Sequence, residues 1–364
     1  MRMANRMTVT RVWGVYFSPT GTTRRIVRAI GAEAAAFFSA AMGKEVWFGT
    51  YDFTLPGKRM PDDGGEQAGT GEDTGRSATA ERPGHGCADM NQPERSQRQL
   101  SVGVPAGERI SGYATVPTEG KGGAGKGPMG EESRQLPVFS PGDVVILGVP
   151  VYAGRVPNLL LPFLRSIRGR GAWGIPVVLF GNRHFDDALA ELKEMMEQGG
   201  FIPVAAAAFV GEHSFSSRIA AGRPDGTDMA AARQLGRAAV HKLERMAAAP
   251  CGPVIPALSV PGAPETERVY YRPGDAEGNK IDIRKVKPLT RSTCHACGIC
   301  AAVCPMGAID AAAPELVKGI CIKCCACVRQ CPVHAKYFED PGYLYHVEDL
   351  EKKLTGREEP VIFV

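Results

Sequence analysis

Strand-like apolar runs alternate with helical periodicity between residues 9 and 248. Residues 9–17 (VTRVWGVYF) are a nearly continuous apolar run, a turn follows at Ser18–Gly21, and 22–41 repeats apolar residues three and four apart. Residues 45–53 (EVWFGTYDF) predict a second strand. A third, Asp143–Val151, starts after Pro141-Gly142 and leads through a loop into Leu159–Ile167, read as helical. Ile175–Phe180 predicts a fourth strand, followed by His184–Gln198 with helical period, closed by Gly199-Gly200. Ile202–Val210 predicts a fifth. A helix from about Gly226 to Met246 follows, with Asp225 as its N-cap.

Strands that alternate with helices build a mostly parallel sheet covered on both faces. Five such units predict an α/β fold, a flavodoxin-like doubly wound parallel five-stranded sheet, rather than a barrel. Residues 61–136 break the rhythm: 16 Gly and 6 Pro stand against six Leu, Ile, Val or Phe and one aromatic, Tyr113. Such a stretch cannot bury enough apolar surface to offset its ordering entropy, so it is read as a disordered insertion of net charge −4, with Cys87 an incidental thiol. The expected organisation is a sheet domain over 1–248, a linker over 249–286 that begins Pro-rich, a cysteine module over 287–340 and a tail over 341–364. In the tail Tyr343–Thr355 reads as helix and Pro360–Val364 as an edge strand.

Composition excludes several classes. No run of roughly 18 apolar residues occurs, so no membrane span is expected. MRMANRMTVT carries charge without an apolar stretch behind it, which argues against a signal peptide. The formal charge is +4 with no dense basic block, so no nucleic-acid partner is expected. Of 11 cysteines, eight lie at regular spacing near the C-terminus, which reads as a metal framework rather than as scattered disulfides.

The spacing is Cys294-x2-Cys297-x2-Cys300-x3-Cys304-Pro305, and it recurs as Cys321-x2-Cys324-x2-Cys327-x3-Cys331-Pro332, each position 27 residues on. Ala308 and Ala335 keep the same offset, an internal repeat that predicts pseudo-twofold symmetry. In the bacterial two-cluster pattern the fourth cysteine of each run ligates the other cluster. One [4Fe–4S] cluster is therefore assigned to Cys294, Cys297, Cys300 and Cys331, and the other to Cys321, Cys324, Cys327 and Cys304, in a small α+β bacterial ferredoxin-like domain. Zinc, the rival, accounts for two C-x2-C pairs but not for the third and fourth cysteines or the prolines. Cys325 aligns with Gly298 and is not expected to be a ligand. Eight thiolates on two 2+ cores bring the formal charge to about zero.

The first loop of the sheet, Ser18-Pro19-Thr20-Gly21-Thr22-Thr23, joins a strand to a helix N-terminus, where free backbone N–H groups and the helix dipole favour an anion. Hydroxyls at Ser18, Thr20, Thr22 and Thr23 add donors without positive charge, and Gly21 lets the backbone approach closely. That suits the phosphate of FMN; a Ser/Thr-rich helix cap is the alternative. Ligands of such sheets bind beyond the carboxyl ends of the strands. The rim there comprises Pro150, Tyr152 and Gly154 after the third strand and Gly181 and Asn182 after the fourth. Tyr152 is a candidate to stack on the isoalloxazine, or to pack on its own loop. Asn182 is a candidate for the flavin's pyrimidine edge, or a turn former. Glu212-His213-Ser214 also points to this rim. His213 is read as structural, and no residue is assigned a catalytic role. Gly169–Gly174 fits G-x-G-x-x-G but precedes a strand, the reverse of a dinucleotide site, and Gly120–Lys126 lacks the Ser or Thr of a Walker loop.

The stretches YFSPTGTTR, YDFTLP, GVPVYAGRVP, FGNRHFDDAL, GEHSFSSRIAAGRPD and CIKCCACVRQCP together resemble the EFR-type ferredoxins, flavodoxin–ferredoxin fusions of anaerobic bacteria and archaea. The likeness covers nearly the whole chain apart from 61–136, where the insertion departs from the pattern. It implies a flavodoxin-like domain, two [4Fe–4S] clusters and low-potential electron transfer with redox partner proteins. Two oxygen-sensitive clusters fit a reducing cytoplasm. The expected function is an electron carrier that passes electrons between two clusters and an FMN. Two alternatives stay open: a ferredoxin whose sheet domain binds no flavin and serves partner docking, and an NAD(P)H- or ferredoxin-linked flavin reductase.

Overall fold

The computed structural model describes residues 9–58, 131–132, 135–248, 257–275 and 277–364. Most of the insertion read at 61–136, with Cys87 and Gly120–Lys126, and the start of the linker, 249–256, lie outside the described residues.

Six strands carry the centre of one sheet: β1 (Arg11–Tyr16), β2 (Trp47–Asp52), β3 (Glu131–Glu132), β4 (Asp143–Pro150), β5 (Trp173–Phe180) and, after the two-residue β6 (Ile202–Pro203), β7 (Ala206–Val210). The strand order is β7-β5-β4-β1-β2-β3, every pair parallel, with β6 beside the start of β5. Helices α1 (Thr22–Met42) and α4 (Gly226–Ala247) cover one face; α2 (Leu161–Ser166) and α3 (Ala188–Gln198) cover the other. Side chains alternate along each strand, so β1 sends Val12 and Tyr16 to the first face and Trp13 and Val15 to the second. Both faces are covered, which is why β4 and β5 read as continuous apolar runs rather than as alternating ones.

Helix α1 places Ile26, Val27, Ile30, Ala34, Ala35 and Phe38 on its buried stripe. Gly31 lets it approach β2, since a Cβ there would overlap the Phe48 ring. Its start is seated just as closely, because a Cβ on Gly148 would overlap Val27. Helix α4 begins as its sequence predicts. The Asp225 carboxylate accepts from the N–H groups of Thr227 (3.0 Å) and Asp228 (3.2 Å), and Asp228 accepts from Asp225 N (2.8 Å), a reciprocal capping box.

Three expectations are adjusted. Residues 184–187, read as the start of a helix, form a turn in which His184 Nδ1 accepts from Asp186 N (2.8 Å) and Asp186 has φ 40°, so α3 starts at Ala188. The strand read over 202–210 is interrupted at Val204-Ala205. The central sheet is mostly parallel and has more strands than predicted, with β3, β6 and a strand from the tail among them.

Residues 257–275 cross the α2/α3 side, held by Ala263 N to Asp187 (2.8 Å), the Arg268–Glu194 pair (2.6 Å) and Tyr271 N to Ala153 O (2.9 Å). The cysteine module follows: β8 (Leu289–Thr290) pairs antiparallel with β9 (Lys336–Tyr337), and between them lie α5 (Ile299–Ala302) and α6 (Ala326–Arg329). The tail returns to the sheet as α7 (Pro341–Lys353) and β10 (Val361–Phe363), which pairs antiparallel with β7 at the sheet edge. No helix among the described residues is long and apolar enough to cross a membrane.

Candidate functional site

The repeat seen in the cysteines extends to the backbone. Helices α5 and α6 are 27 residues apart, and each is preceded by two left-handed residues, Ala296 and Gly298 in the first half, Lys323 and Cys325 in the second. Gly307 and His334 form a third such pair. These turns fold backbone N–H groups onto sulfur: Ala296 N to Cys294 Sγ (3.4 Å) repeats as Lys323 N to Cys321 Sγ (3.4 Å), and Ala308 N to Cys304 Sγ (3.3 Å) as Ala335 N to Cys331 Sγ (3.2 Å). Donors aimed at sulfur stabilise thiolates and, with burial, set cluster potentials.

The sulfurs surround two cavities. Cys294, Cys297, Cys300 and Cys331 line one; Cys304, Cys321, Cys324, Cys327 and Cys325 line the other. Among the described residues no three His, Cys, Asp or Glu side chains converge as the ligands of a single ion would. Four thiols spread around a cavity fit a polynuclear core better than one zinc. Burial first, then the neighbouring thiols, push Cys327 up to about 12. Such groups are thiolates only when the cavity supplies positive charge.

Residues 289–310 match the family model of Fer4, the 4Fe-4S binding domain. The chain thus carries an iron–sulfur electron-carrier domain, and the match spans the first cysteine run. No curated protein matches the chain.

A cleft lies at the carboxyl ends of the strands and meets the module. Of the ten residues predicted to bind a cofactor, Thr20, Thr22, Thr23, Pro150, Tyr152 and Gly181 line it, with Glu212, His213, Ser214 and, from the module, Cys324. Ser18 stands behind it, its Oγ accepting from Arg24 N (3.0 Å). Gly21 takes the left-handed turn (φ 84°) that starts α1. Gly154 packs under Asp186, where a Cβ would overlap the carboxylate. Asn182 is committed elsewhere: its Nδ2 donates to Gly356 O (2.7 Å) and its Oδ1 accepts from Glu358 N (3.2 Å), so it ties down the tail. Tyr152 does not simply pack on its own loop. It faces the second cysteine set, and its phenol is raised well above the ordinary value by burial first and then by Cys324, Cys325 and Cys321.

The donors of this cleft fit a phosphate-bearing group. The N–H groups of Thr22 and Thr23 have no hydrogen-bond partner among the described residues, the threonines surround them, and Arg24 carries a cation beside Gly21.

Several contributors were not identified in the sequence. Thr54 Oγ1 accepts from Ser18 N (2.8 Å) and donates to Asp52, which braces the first loop from the end of β2. Arg329 on α6 donates to Ser214 O (3.2 Å), Ser216 O (3.1 Å), His213 O and Glu212, and so docks the second half of the module on the rim loop. Glu351 of α7 accepts from Arg218 (3.0 Å) and Ser216 on the same loop. One signal was available: the repeat places Ala302 opposite Arg329, so this arginine is a departure from symmetry.

His213 is held down to about 4 by burial first, then by His346, Arg329 and Arg183. An unfolded histidine titrates near 6.5, so as pH falls through 6.5 the unfolded chain takes the proton first. Stability is then lost down to about pH 4, by up to about 1.4 kcal/mol per pH unit. His213→Asn is expected to flatten this part of the pH–stability profile measured by denaturant unfolding. Parallel profiles for the two proteins would assign the slope to other groups.

Proposed function

We propose that the protein passes electrons between two [4Fe–4S] clusters, one in each cysteine-lined cavity, and an FMN held in the cleft above the sheet. The observation that carries this reading is that Cys324, a ligand in the second set, lines the same cleft as Thr20, Thr22 and Tyr152. The order β2-β1-β4-β5-β7 reads 2-1-3-4-5 when the long strands are counted in sequence, the flavodoxin-like order, whose ligand site lies at the switch point beside β1. The proposed organisation is a flavodoxin-like domain over 1–248, a linker over 249–286, a two-cluster domain over 287–340 and a tail over 341–364, as in EFR-type ferredoxins, working with redox partner proteins in a reducing cytoplasm.

FMN, when bound, exchanges two electrons or one at a time, and each cluster exchanges one. The chain's part is to hold and to insulate. Thr20, Thr22, Thr23 and the first N–H groups of α1 would bind the phosphate, with Arg24 adding charge. Tyr152, Pro150 and Gly181 would flank the ring system. Arg329 docks α6 on the rim loop beside the cleft, and burial of Cys324 and Cys327 keeps water from those sulfurs.

The test is flavin released by acid from protein purified without oxygen, before and after addition of FMN. About one FMN per chain is expected. Thr20→Val combined with Thr22→Val is expected to weaken FMN binding by about 10- to 100-fold, from the loss of two hydrogen bonds to a charged group, with iron content unchanged. A chain that binds no flavin even when FMN is added would reassign the sheet domain to docking. That second reading is favoured by one observation, the commitment of Asn182 and of loop 212–216 to the tail and module.

A further inference from the structure

His213 lines the cleft and brings to it a hydrogen-bond donor that no described residue engages. Its Nδ1 accepts from the N–H of Phe215 (3.2 Å), so in the neutral ring Nδ1 carries no proton and Nε2 carries it. Burial keeps the ring neutral at ordinary pH. The backbone groups of the residue are engaged as well. Its N–H donates to Ile219 O (3.1 Å), and its carbonyl accepts from Arg329 and from Ser216 N (3.3 Å). Only Nε2 has no partner among the described residues.

The ring sits at the end of β5. A Cβ on Gly181 would overlap Cδ2, the ring carbon bonded to Nε2, and Gly181 lines the same cleft. The strand before His213 ends beside the first loop, where a Cβ on Gly211 would touch Thr22 (3.3 Å). The donor edge of the imidazole therefore lies on the Gly181 side of the cleft, where the ring system of a flavin is placed. The loop that carries it is clamped. Glu212 N donates to Arg223 O (3.0 Å), Glu212 Oε2 accepts from Gly222 N (2.8 Å), and Ser216 donates to Glu351. A donor held in this way meets developing charge without first having to reorganise.

We propose that His213, through Nε2–H, hydrogen-bonds the ring system of FMN in the cleft and favours its reduced, more electron-rich form. The inference rests on the proposal that FMN occupies this cleft. His213 neither gives nor takes a proton and stays a neutral dipole. A group that binds the reduced form more tightly than the oxidised one raises the flavin's potential in the same proportion, because binding and reduction are linked.

The test compares two substitutions that each keep one half of the imidazole. His213→Asn leaves an acceptor near the place of Nδ1, so the brace to Phe215 is kept, and removes the far donor. His213→Gln carries an N–H to the place of Nε2 and loses the brace. The full-length, iron-loaded protein is dialysed to equilibrium without oxygen against FMN, in its oxidised and in its dithionite-reduced form. His213→Asn is expected to weaken binding of reduced FMN by about tenfold and of oxidised FMN by less than about twofold. That difference corresponds to a two-electron midpoint potential about 20–30 mV more negative. His213→Gln is expected to stay within about threefold of the unmodified protein for both forms, and iron content is expected to be unchanged in either variant. Should His213→Asn fail to load iron, His213→Leu replaces it, since it differs from His213→Gln chiefly in the donor. Equal weakening of both forms overturns the proposal and leaves His213 with the phosphate or the loop. Full retention of both affinities in His213→Asn overturns it too, as does greater damage from His213→Gln than from His213→Asn, the mark of a brace. An unmodified protein that binds neither form overturns the FMN reading itself, so the two failures are distinct.

Discussion

Replacing Cys331 with alanine is expected to halve the iron of the protein, from about eight to about four atoms per chain, and to destroy the centre built on the first cysteine run rather than the second. The expectation comes from which sulfurs share a cavity. Cys331 follows the second run in sequence, yet it lines the cavity of Cys294, Cys297 and Cys300, while Cys304 closes the cavity of Cys321, Cys324 and Cys327. Pairing by sequence neighbourhood and crossed pairing make opposite predictions for double variants. With crossed ligation, Cys297→Ala added to Cys331→Ala removes nothing further, because both strike one site. Cys324→Ala added to Cys331→Ala removes nearly all the iron. Pairing by neighbourhood reverses the two results. Iron and acid-labile sulfide, with spin quantitation of the reduced protein, decide the matter. A single substitution that empties both sites would show that the two halves fold only together.

Asp228→Ala is expected to destabilise the protein by about 3–5 kcal/mol, which for a chain of this size lowers the melting temperature by about 10 °C. Asp228 is fully buried and Arg223 is 4% exposed. The Arg223 guanidinium donates through Nε to Asp228 Oδ2 (2.8 Å), through Nη2 to Asp228 Oδ1 and through Nη1 to Glu358 O. Its own carbonyl accepts from Glu212 N (3.0 Å). One ion pair therefore ties together the start of α4, the rim loop that receives Arg329, and the tail. Removing the carboxylate leaves a buried guanidinium without its counter-charge, which costs more than the pair contributes while intact. Asp225→Ala, which removes the cap and a half-exposed pair with Arg357 (2.7 Å), should cost about 1–2 kcal/mol. Denaturant unfolding of the iron-loaded variants compares the two. A loss below about 1 kcal/mol for Asp228→Ala would show that water reaches Arg223.

The rim loop explains why part of the site was legible in the sequence and part was not. The repeated cysteine spacing could be read directly, because the turns that fold N–H groups onto sulfur are local and recur at a fixed offset. Thr20, Thr22 and Thr23 could be read because a hydroxyl-rich turn between strand and helix places donors locally. The role of Asn182 could not. Its position after a strand suggested a ligand contact, but the partners of its amide, Gly356 and Glu358, lie more than 170 residues away in sequence. Thr54 was likewise invisible as a brace, since its contact with Ser18 joins the ends of two strands that only the parallel register β1–β2 brings side by side.

By itself the sequence determined the order of strands and helices, the capping of α4, the twofold repeat of the cysteine module and the hydroxyl-rich character of the first loop. Each of these depends on interactions within a few residues or on a strict period. Only the tertiary structure decided that the second cysteine set meets the cleft of the sheet, that Arg329 docks the module on the rim loop, and that the strand of the tail pairs with β7. The physical reason is that these contacts lie between segments far apart in sequence. Their geometry depends on how Arg329, Glu351 and Arg223 dock one packed unit on another, and no local periodicity encodes that docking.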